Sequence, residues 1–405
     1  MHKIHDNKSG ASWFPGLNAL RFMAAATVVI MHIHNNMGIS GLPQLPAWPI
    51  LFKGLYAVSF FFVLSGFLIT WLLLKEQEQS QTIGIRKFYL RRVFRIWPLY
   101  FIVIGIGMTF YWRLAPALHL GFESGYPHGL ALLLYAFFLA NLMNSLFHVG
   151  GILHITWSIA VEEQFYLFWA PLVKKFHSRL PLLVVTVSLV SLAVNIGNTL
   201  SLFHLSKGMR DFVGTLQFHF MGAGAGCAWL LYRHRDRLLS LPVFRIPIAQ
   251  WGCLLLLGCF FFGYKKTVPG DCIVPLPLAA LFGWLILNIS SNPKRIFSLD
   301  NKALNYLGQI SYGIYMYHMP VVYAVAFCFQ RAGGTGHYPS LNGHQPWLSS
   351  HYPWLYFPLY FAAVFALAIL VAFLSYYGLE KPLLRYSKRF QSSKPCKTQY
   401  SIHPA

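Results

Sequence analysis

Eleven apolar stretches follow one another along this chain of 405 residues, each long enough, or nearly so, to cross a lipid bilayer. A membrane-crossing helix needs about 20 mostly apolar residues, because its backbone polar groups must pair within the helix where water is absent. The stretches are 17–37, 54–74, 96–114, 129–147, 156–173, 181–200, 211–232, 246–263, 272–290, 303–328 and 354–379. They leave little chain for a soluble domain, so we predict an all-α, polytopic membrane helix bundle.

The composition agrees with a membrane protein and argues against nucleic-acid binding. Charged residues make up 11% of the chain, whereas an ordinary soluble protein has about 25%. The net charge is +21, and the basic residues cluster in the short segments between apolar stretches, as in cytoplasmic loops of membrane proteins. We therefore expect the lipid bilayer as a partner and no nucleic acid. The cysteines show no zinc-ligand spacing, so no metal site is expected.

The basic segments predict the orientation of the chain. Cytoplasmic loops carry an excess of Lys and Arg, so these segments belong on one side of the membrane. They are 75–95, 174–179, 233–237, 291–295 and the chain after residue 380. We predict that both termini are cytoplasmic, with a membrane domain over residues 1–380 and a basic cytoplasmic tail over 381–405.

This orientation allows one crossing between residues 114 and 173, although two apolar stretches lie there. One of them, 129–147 or 156–173, must therefore be re-entrant or interfacial, and the sequence does not decide which. The prediction is about ten transmembrane helices plus one such segment.

The first apolar stretch contains two ionisable residues. Arg21 and His32 are eleven positions apart, almost three helical turns, so their side chains share one helix face. Ionisable groups inside a membrane are costly and usually face a protein interior or a wet cavity. Either the two residues form part of a functional site, or Arg21 extends to the inner interface and His32 is a hydrogen-bonded buried residue.

The stretch RRVFRIWPLY contains an arginine pair at the inner end of the third helix. Arg92 and Arg95 occupy positions i and i+3 and therefore lie on one face. Two fixed guanidiniums suit phosphate recognition, although arginines are also ordinary anchors of a cytoplasmic loop.

The stretch WSIAVEEQFYLFW contains adjacent acidic residues. Glu162 and Glu163 point about 100° apart on a helix, and a carboxylate at membrane depth usually has a partner. His32 or an arginine is the candidate partner. The structural alternative is an ion pair that only holds two helices together.

The stretch ISYGIYMYHMP places three polar side chains on one face, just before Pro320. Ser311, Tyr315 and His318 stand at i, i+4 and i+7, and they are candidate substrate-binding residues. The alternative is a kinked helix with a hydrogen-bonded histidine.

Two further features are less specific. Ser65 and Gly66 in FFVLSGFLIT permit a close helix approach, which we interpret as packing. The predicted outer loop 331–353 is rich in Gly, His, Tyr and Trp, so it either stacks on a sugar or is an ordinary interfacial loop.

Taken together, five pieces of the sequence resemble the acyltransferase-3 family of polytopic membrane O-acyltransferases. They are Arg21 followed after ten residues by His32, FFVLSGFLIT, RRVFRIWPLY, WSIAVEEQFYLFW and ISYGIYMYHMP, which occur in this order between residues 17 and 320. Each motif alone is weak, but five in order are specific. The resemblance implies ten crossings and transfer of an acyl group, often acetyl, from cytoplasmic acyl-CoA to a hydroxyl, often on a surface glycan.

The resemblance also implies roles for individual residues. His32 would be the catalytic histidine and Arg21 its motif partner. Glu162 or Glu163 would support the histidine, and the choice between them stays open.

The same resemblance implies how the donor is held. Arg92 and Arg95, with the adjacent Arg91, would bind the CoA part of the donor, and His318 is a second candidate for the chemistry.

A mechanism follows as a hypothesis. A sugar hydroxyl is a poor nucleophile until it loses its proton, so His32 is expected to act as general base, with the donor thioester already activated. Acetyl-CoA is then a donor substrate, and neither a bound cofactor nor a metal is required. Direct transfer and an acyl-histidine intermediate both stay open. The alternative function is a proton-coupled transporter or flippase, which also uses intramembrane Arg, His and Glu.

The expected location is a bacterial inner membrane. The acceptor stays open among a glycan, its lipid-linked or glycolipid precursor, and a small molecule. Some family members carry a soluble hydrolase-like domain after the membrane part. This sequence ends about 25 residues after its last apolar stretch, so a later step outside the membrane would need a separate periplasmic partner.

Overall fold

The computed structural model is an all-α bundle, as the sequence predicts. It describes residues 14–39, 42, 44–46, 48–118, 122, 124–263, 272–332 and 352–390, and no β-strand occurs among them. The predicted outer loop 331–353 and the predicted tail 381–405 lie for the most part outside these residues.

The α-helices are numbered here along the described chain. They are α1 (Leu17–Ile39), α2 (Gly54–Ser80), α3 (Ile85–Thr109), α4 (Ala115–Ala117), α5 (His128–Ala136), α6 (Ala140–Leu146), α7 (Gly151–His154), α8 (Trp157–Lys175), α9 (Leu180–Thr199), α10 (Lys207–Thr215), α11 (Phe218–Leu239), α12 (Pro242–Arg245), α13 (Pro247–Gly258), α14 (Pro275–Ser291), α15 (Lys302–Gln309), α16 (Ser311–Ala332), α17 (Pro353–Ser375) and α18 (Lys381–Ser387). Short 3₁₀ turns cover Pro49–Phe52, His177–Arg179 and Lys388–Phe390, and π-helical turns cover Phe110–Leu114, Cys259–Gly263 and Tyr376–Glu380.

Six helical segments of the described chain are long and apolar enough to cross a membrane. They are Leu17–Ile39, Gly54–Ser80, Ile85–Ala117, His177–Thr199, Ser311–Phe329 and Trp354–Phe390. Two shorter apolar helices, Pro247–Gly263 and Pro275–Ser291, fall just below that length. The predicted membrane helix bundle is therefore confirmed, and the total of ten crossings stays a prediction.

The apolar stretch 129–147 is broken into two short helices. α5 has nine residues and α6 has seven, and nine residues rise only about 14 Å, less than half of a hydrocarbon core. The break lies at Phe138, whose positive φ of 55° ends α5 in the left-handed conformation. The Phe138 ring stacks on Tyr100 with centroids 4.4 Å apart, which holds this conformation in place. The neighbouring stretch 156–173, in contrast, forms the single helix α8.

Two other predicted stretches are also interrupted. The stretch 303–328 divides at Ile310 into α15 and α16, and the stretch 211–232 divides at Leu216 and Gln217 into α10 and α11. In both cases apolar content alone did not reveal the turn between two helices.

Helix α2 is the centre of the bundle. It is apolar around its whole circumference, which is typical of a helix buried on all sides. α1 packs against α2 and also against α15 and α16, which brings chain positions about 290 residues apart into contact. α1 thereby lies next to the sequence motifs in α2 and α16.

Two glycines let α2 and α11 approach closely. A Cβ atom added at Gly66 would overlap the backbone carbonyl of Met221, and one added at Gly224 would overlap that of Val63. The two contacts are reciprocal, since each glycine faces the other helix's backbone. This confirms the packing role predicted for Gly66.

Replacing either glycine with alanine should push the two helices apart. We expect Gly66→Ala and Gly224→Ala to lower the free energy of unfolding by about 1–3 kcal/mol through overpacking, measured by thermal unfolding of the purified protein in detergent.

The matched control is Gly105→Ala on α3, where an added Cβ has no atom within 4 Å. Equal unfolding temperatures for all three variants would contradict the close-contact interpretation.

Candidate active site

A cavity of about 310 Å³ lies among α1, α2, α3, α8 and α16. Six of the ten candidate site residues predicted from the sequence line it: Arg21, Arg92, Arg95, Glu162, Ser311 and Tyr315. They come from four helices that are distant in the sequence. Ser65 on α2, which we interpreted as a packing residue, also lines the cavity. The fold therefore gathers most of the predicted site around one space.

The cavity wall carries an excess of positive charge. Three arginines line it, Arg21, Arg92 and Arg95, against two glutamates, Glu162 and Glu380. A formal excess of one positive charge in the cavity wall favours an anionic ligand. The described residues contain no group of three or more His, Cys, Asp or Glu side chains placed to hold a metal ion.

The arginines differ in how they are held. The Arg21 guanidinium donates a long hydrogen bond of 3.4 Å to Asn18 Oδ1, one turn earlier on α1. Arg92 lies over the ring of Phe88, and its Nε is buried without a hydrogen-bond partner in the described chain. A buried N–H that the protein leaves unpaired is costly, unless a ligand supplies the acceptor.

Arg91 lies in a different environment from Arg92 and Arg95, the two arginines of α3 that line the cavity. It does not line the cavity, and its guanidinium bonds to Glu76 Oε2 at 2.7 Å and to the Phe390 carbonyl at 2.9 Å. Glu76 also accepts a hydrogen bond from the backbone N–H of Gly84. Arg91 therefore ties α2 and α3 to the 3₁₀ turn Lys388–Phe390, which is a structural contact, whereas the sequence analysis placed Arg91 with the donor-binding pair.

The structure separates the two adjacent glutamates. Glu162 faces the cavity, where its Oε2 accepts a hydrogen bond of 2.8 Å from the Tyr166 hydroxyl. Glu163 is absent from the cavity wall and accepts a hydrogen bond of 3.2 Å from the Trp97 indole N–H. The 100° between successive helical positions thus places the two carboxylates in different surroundings.

The two histidines of the sequence motifs form a pair. His32 Nδ1 on α1 and His318 Nε2 on α16 are 2.9 Å apart, within hydrogen-bonding distance. His318 has no exposed surface, and its Nδ1 lies 2.5 Å from the Tyr315 carbonyl oxygen. The sequence suggested a glutamate beside His32. No hydrogen bond joins His32 to Glu162 or Glu163 in the described structure, and His318 occupies that place.

Tyr315 connects the histidine pair with the cavity. Its side chain lines the cavity, and its hydroxyl lies 2.7 Å from Ser158 Oγ and 3.2 Å from the Ile155 carbonyl. The Tyr315 carbonyl contacts His318, so Tyr315 lies between the histidine pair and the cavity. Ser311, one turn earlier on the same face, donates to the Gly308 carbonyl at 2.8 Å and lines the cavity as well.

Glu380 is a cavity residue that sequence reasoning missed. It is buried, lines the cavity and accepts a hydrogen bond of 3.3 Å from Ser375 Oγ. It stands directly after the last apolar stretch, where the sequence analysis used it only as the boundary between the membrane domain over residues 1–380 and the basic tail. The sequence feature that could have revealed Glu380 is an acidic residue at that boundary, next to Lys381.

The comparison with known proteins identifies the family. The acyltransferase-3 family, described as an acyltransferase domain, matches residues 14–377. This chain belongs to that family. The resemblance inferred from the five sequence motifs is therefore confirmed, and no solved structure gives a significant match.

Curated relatives of the chain are bacterial. The O-acetyltransferase OatA of Staphylococcus aureus is 28% identical over 331 residues, which are 76% of this chain and 51% of the relative. The peptidoglycan O-acetyltransferase OatA of Listeria monocytogenes is 26% identical over 333 residues, 76% of this chain and 49% of the relative. This chain spans about half the length of the curated relatives it matches.

Proposed function

We propose that this protein is a membrane O-acetyltransferase that moves an acetyl group from acetyl-CoA to a hydroxyl of a cell-surface glycan or its lipid-linked precursor. The observation that carries the proposal is a positively charged cavity with a histidine pair behind its wall: neither histidine lines the cavity, but Tyr315 does, and the Tyr315 carbonyl contacts His318. Membership of the acyltransferase-3 family and the names of the two OatA relatives support it. A peptidoglycan hydroxyl is one acceptor within this class, because the Listeria relative is named for that polymer.

The arginines of the cavity suit the donor. CoA carries phosphate groups, and guanidiniums bind phosphate oxygens with charge-assisted hydrogen bonds. Arg92 and Arg95 face the cavity from one side of α3, and the unpaired Nε–H of Arg92 provides a donor for a phosphate oxygen. Arg21 lies on α1, the helix that also carries His32, so the donor's thioester arm would run from the arginines toward the histidine.

His32 is the proposed general base. It takes the proton of the acceptor hydroxyl as the hydroxyl oxygen bonds to the acyl carbon and the carbon–sulfur bond of the thioester breaks. The proton then passes from His32 to the CoA thiolate, which leaves as the thiol. No metal or bound cofactor takes part in these steps.

Glu162 is the proposed functional member of the acidic pair. It shares the cavity with Arg21 and Arg95, so its carboxylate balances part of their charge.

The predicted cytoplasmic termini, the bacterial inner membrane and the separate periplasmic partner belong to the same proposal.

The His32→Ala variant tests the proposal directly. We expect acetyl transfer from labelled acetyl-CoA to an envelope glycan to fall by about 10²- to 10⁴-fold, because the variant lacks the general base. The measurement is CoA release together with label in the glycan, using purified protein in nanodiscs.

His177→Ala, at an exposed histidine on the 3₁₀ turn His177–Arg179, is the control and should keep wild-type turnover. Substantial transfer by His32→Ala would refute the assignment. Glycan movement across the membrane without CoA release would favour the carrier alternative instead.

The arginine pair should control donor binding. We expect Arg92→Ala and Arg95→Ala each to weaken acetyl-CoA binding by roughly 10- to 100-fold, as expected when a hydrogen bond to a charged group is lost. The KM for acetyl-CoA and a direct binding titration with CoA both measure this.

Arg86→Ala removes the same charge from an exposed position at the start of α3 and serves as the control. If all three variants bound CoA equally, the cavity would not be the donor site.

Replacing Glu162 and replacing Glu163 should have different effects on turnover. Glu162→Gln keeps the shape but removes a negative charge facing Arg21 and Arg95, so we expect turnover to fall by about tenfold or more, in the range measured for groups that stabilise charge in active sites.

Glu163→Gln, whose carboxylate faces Trp97 outside the cavity, should have a smaller effect on turnover. If Glu163→Gln lowered turnover more than Glu162→Gln did, Glu163 would be the functional glutamate.

A further inference from the structure

The geometry of the histidine pair also indicates which nitrogen of His32 carries a proton in the resting protein. We infer that His318 fixes the tautomer of His32, so that Nε2 of His32 is the nitrogen that reacts. This inference rests on the proposed function for its chemical meaning, but the protonation pattern itself is a property of the resting protein.

The argument begins at the Tyr315 carbonyl. A carbonyl oxygen can only accept a hydrogen bond, and His318 Nδ1 lies 2.5 Å from it. His318 Nδ1 must therefore carry a hydrogen. In a neutral imidazole the other nitrogen is then an acceptor, so His318 Nε2 presents a lone pair.

The second step concerns the 2.9 Å contact between the rings. Only one hydrogen fits between His32 Nδ1 and His318 Nε2. If His318 supplied it, His318 would be a fully buried imidazolium, and neither ring has a carboxylate hydrogen-bonded to it among the residues described. Burying a charge without a partner is costly. The hydrogen therefore belongs to His32 Nδ1, and His32 Nε2 keeps its lone pair.

Contacts of the Tyr315 side chain with neighbouring residues fix the position of the helix turn that carries His318. The Tyr315 hydroxyl contacts Ser158 on α8, and the same hydroxyl reaches the Ile155 carbonyl. These contacts anchor the turn of α16 whose carbonyl holds His318. Three helices thus determine which nitrogen of His32 is available, since α8 anchors α16 and α16 orients the ring on α1.

The consequence for the reaction is specific. When His32 Nε2 takes the hydroxyl proton, His32 becomes an imidazolium whose Nδ1–H still donates to His318, and a hydrogen bond from a charged donor is stronger than a neutral one. His318 acts as a positioning residue and keeps its own proton throughout. In the covalent alternative the same Nε2 lone pair attacks the acyl carbon, so an acyl group would also form its bond at Nε2.

The test is ¹⁵N NMR of histidine-labelled protein in nanodiscs, with the His32 signals identified as those missing from His32→Ala. We expect His32 to carry its proton on Nδ1 in the wild type. In His318→Leu, which lacks this acceptor but keeps the Val28 backbone beside His32, the fraction of His32 with its proton on Nδ1 should fall. Turnover should then fall on the order of 10- to 100-fold, as for other histidines that lose an orienting partner, with an unchanged KM for acetyl-CoA.

Two further variants separate orientation from structural damage. His318→Gln offers Oε1 as an acceptor to His32 Nδ1–H, so it should restore the Nδ1–H tautomer and part of the turnover. His219→Leu removes a different buried histidine, which bonds to Ser191 on α9, and it should leave the His32 signals unchanged.

The inference is overturned if wild-type His32 carries its proton on Nε2, or if His318→Leu leaves the His32 tautomer as it was. A proton on Nδ1 in a protein that transfers no acetyl group would uphold the tautomer assignment while the proposed function failed. If the protein transferred acetyl groups while His32 carried its proton on Nε2, the proposed function would stand and the tautomer assignment would fail.

Discussion

Charge compensation in an apolar interior is the constraint around which this bundle is arranged. Three guanidiniums and two carboxylates line one cavity, and each would be costly if it faced lipid alone. α1, α3, α8 and the end of the last long helix must therefore converge. Because the positive charges exceed the negative ones, an anion in the cavity would complete the balance, which agrees with the proposed binding of an anionic donor there.

The histidine pair lies where two packed groups of helices meet. The first half of α1, with Leu20 and Ala24, belongs to the main core around α2, whereas Ile33 and Met37 belong to a second core formed with α16 and α17. His32 stands at the beginning of this second half and reaches across to α16. The contact between His32 and His318 therefore depends on how the second core packs against the main one.

Much of this could be predicted from the sequence, and the omissions have physical causes. Apolar length predicted most helices, and the spacing of Arg21 and His32 placed both on one face of α1. The sequence predicted that 129–147 or 156–173 is re-entrant or interfacial, but it did not reveal the break in 129–147, because that break depends on Phe138 stacking on Tyr100, a tertiary contact. The sequence gives no reason to prefer one of two adjacent glutamates, so only the packing of α8 shows that Glu162 faces the cavity. The pairing of His32 with His318 joins positions 286 residues apart, which no local pattern encodes.

The π-helical turn Tyr376–Glu380 has a consequence for how this protein tolerates change. Such a turn contains one residue more than an α-helical turn of the same rise. Deleting one residue between Tyr376 and Leu379 would therefore give a regular turn of the same rise, and Leu384, which lines the cavity beyond the turn, would keep its face. In a regular helical stretch the same deletion would rotate everything beyond it by about 100°. This point of the wall is thus expected to tolerate a one-residue change in chain length better than the regular helices around the cavity do.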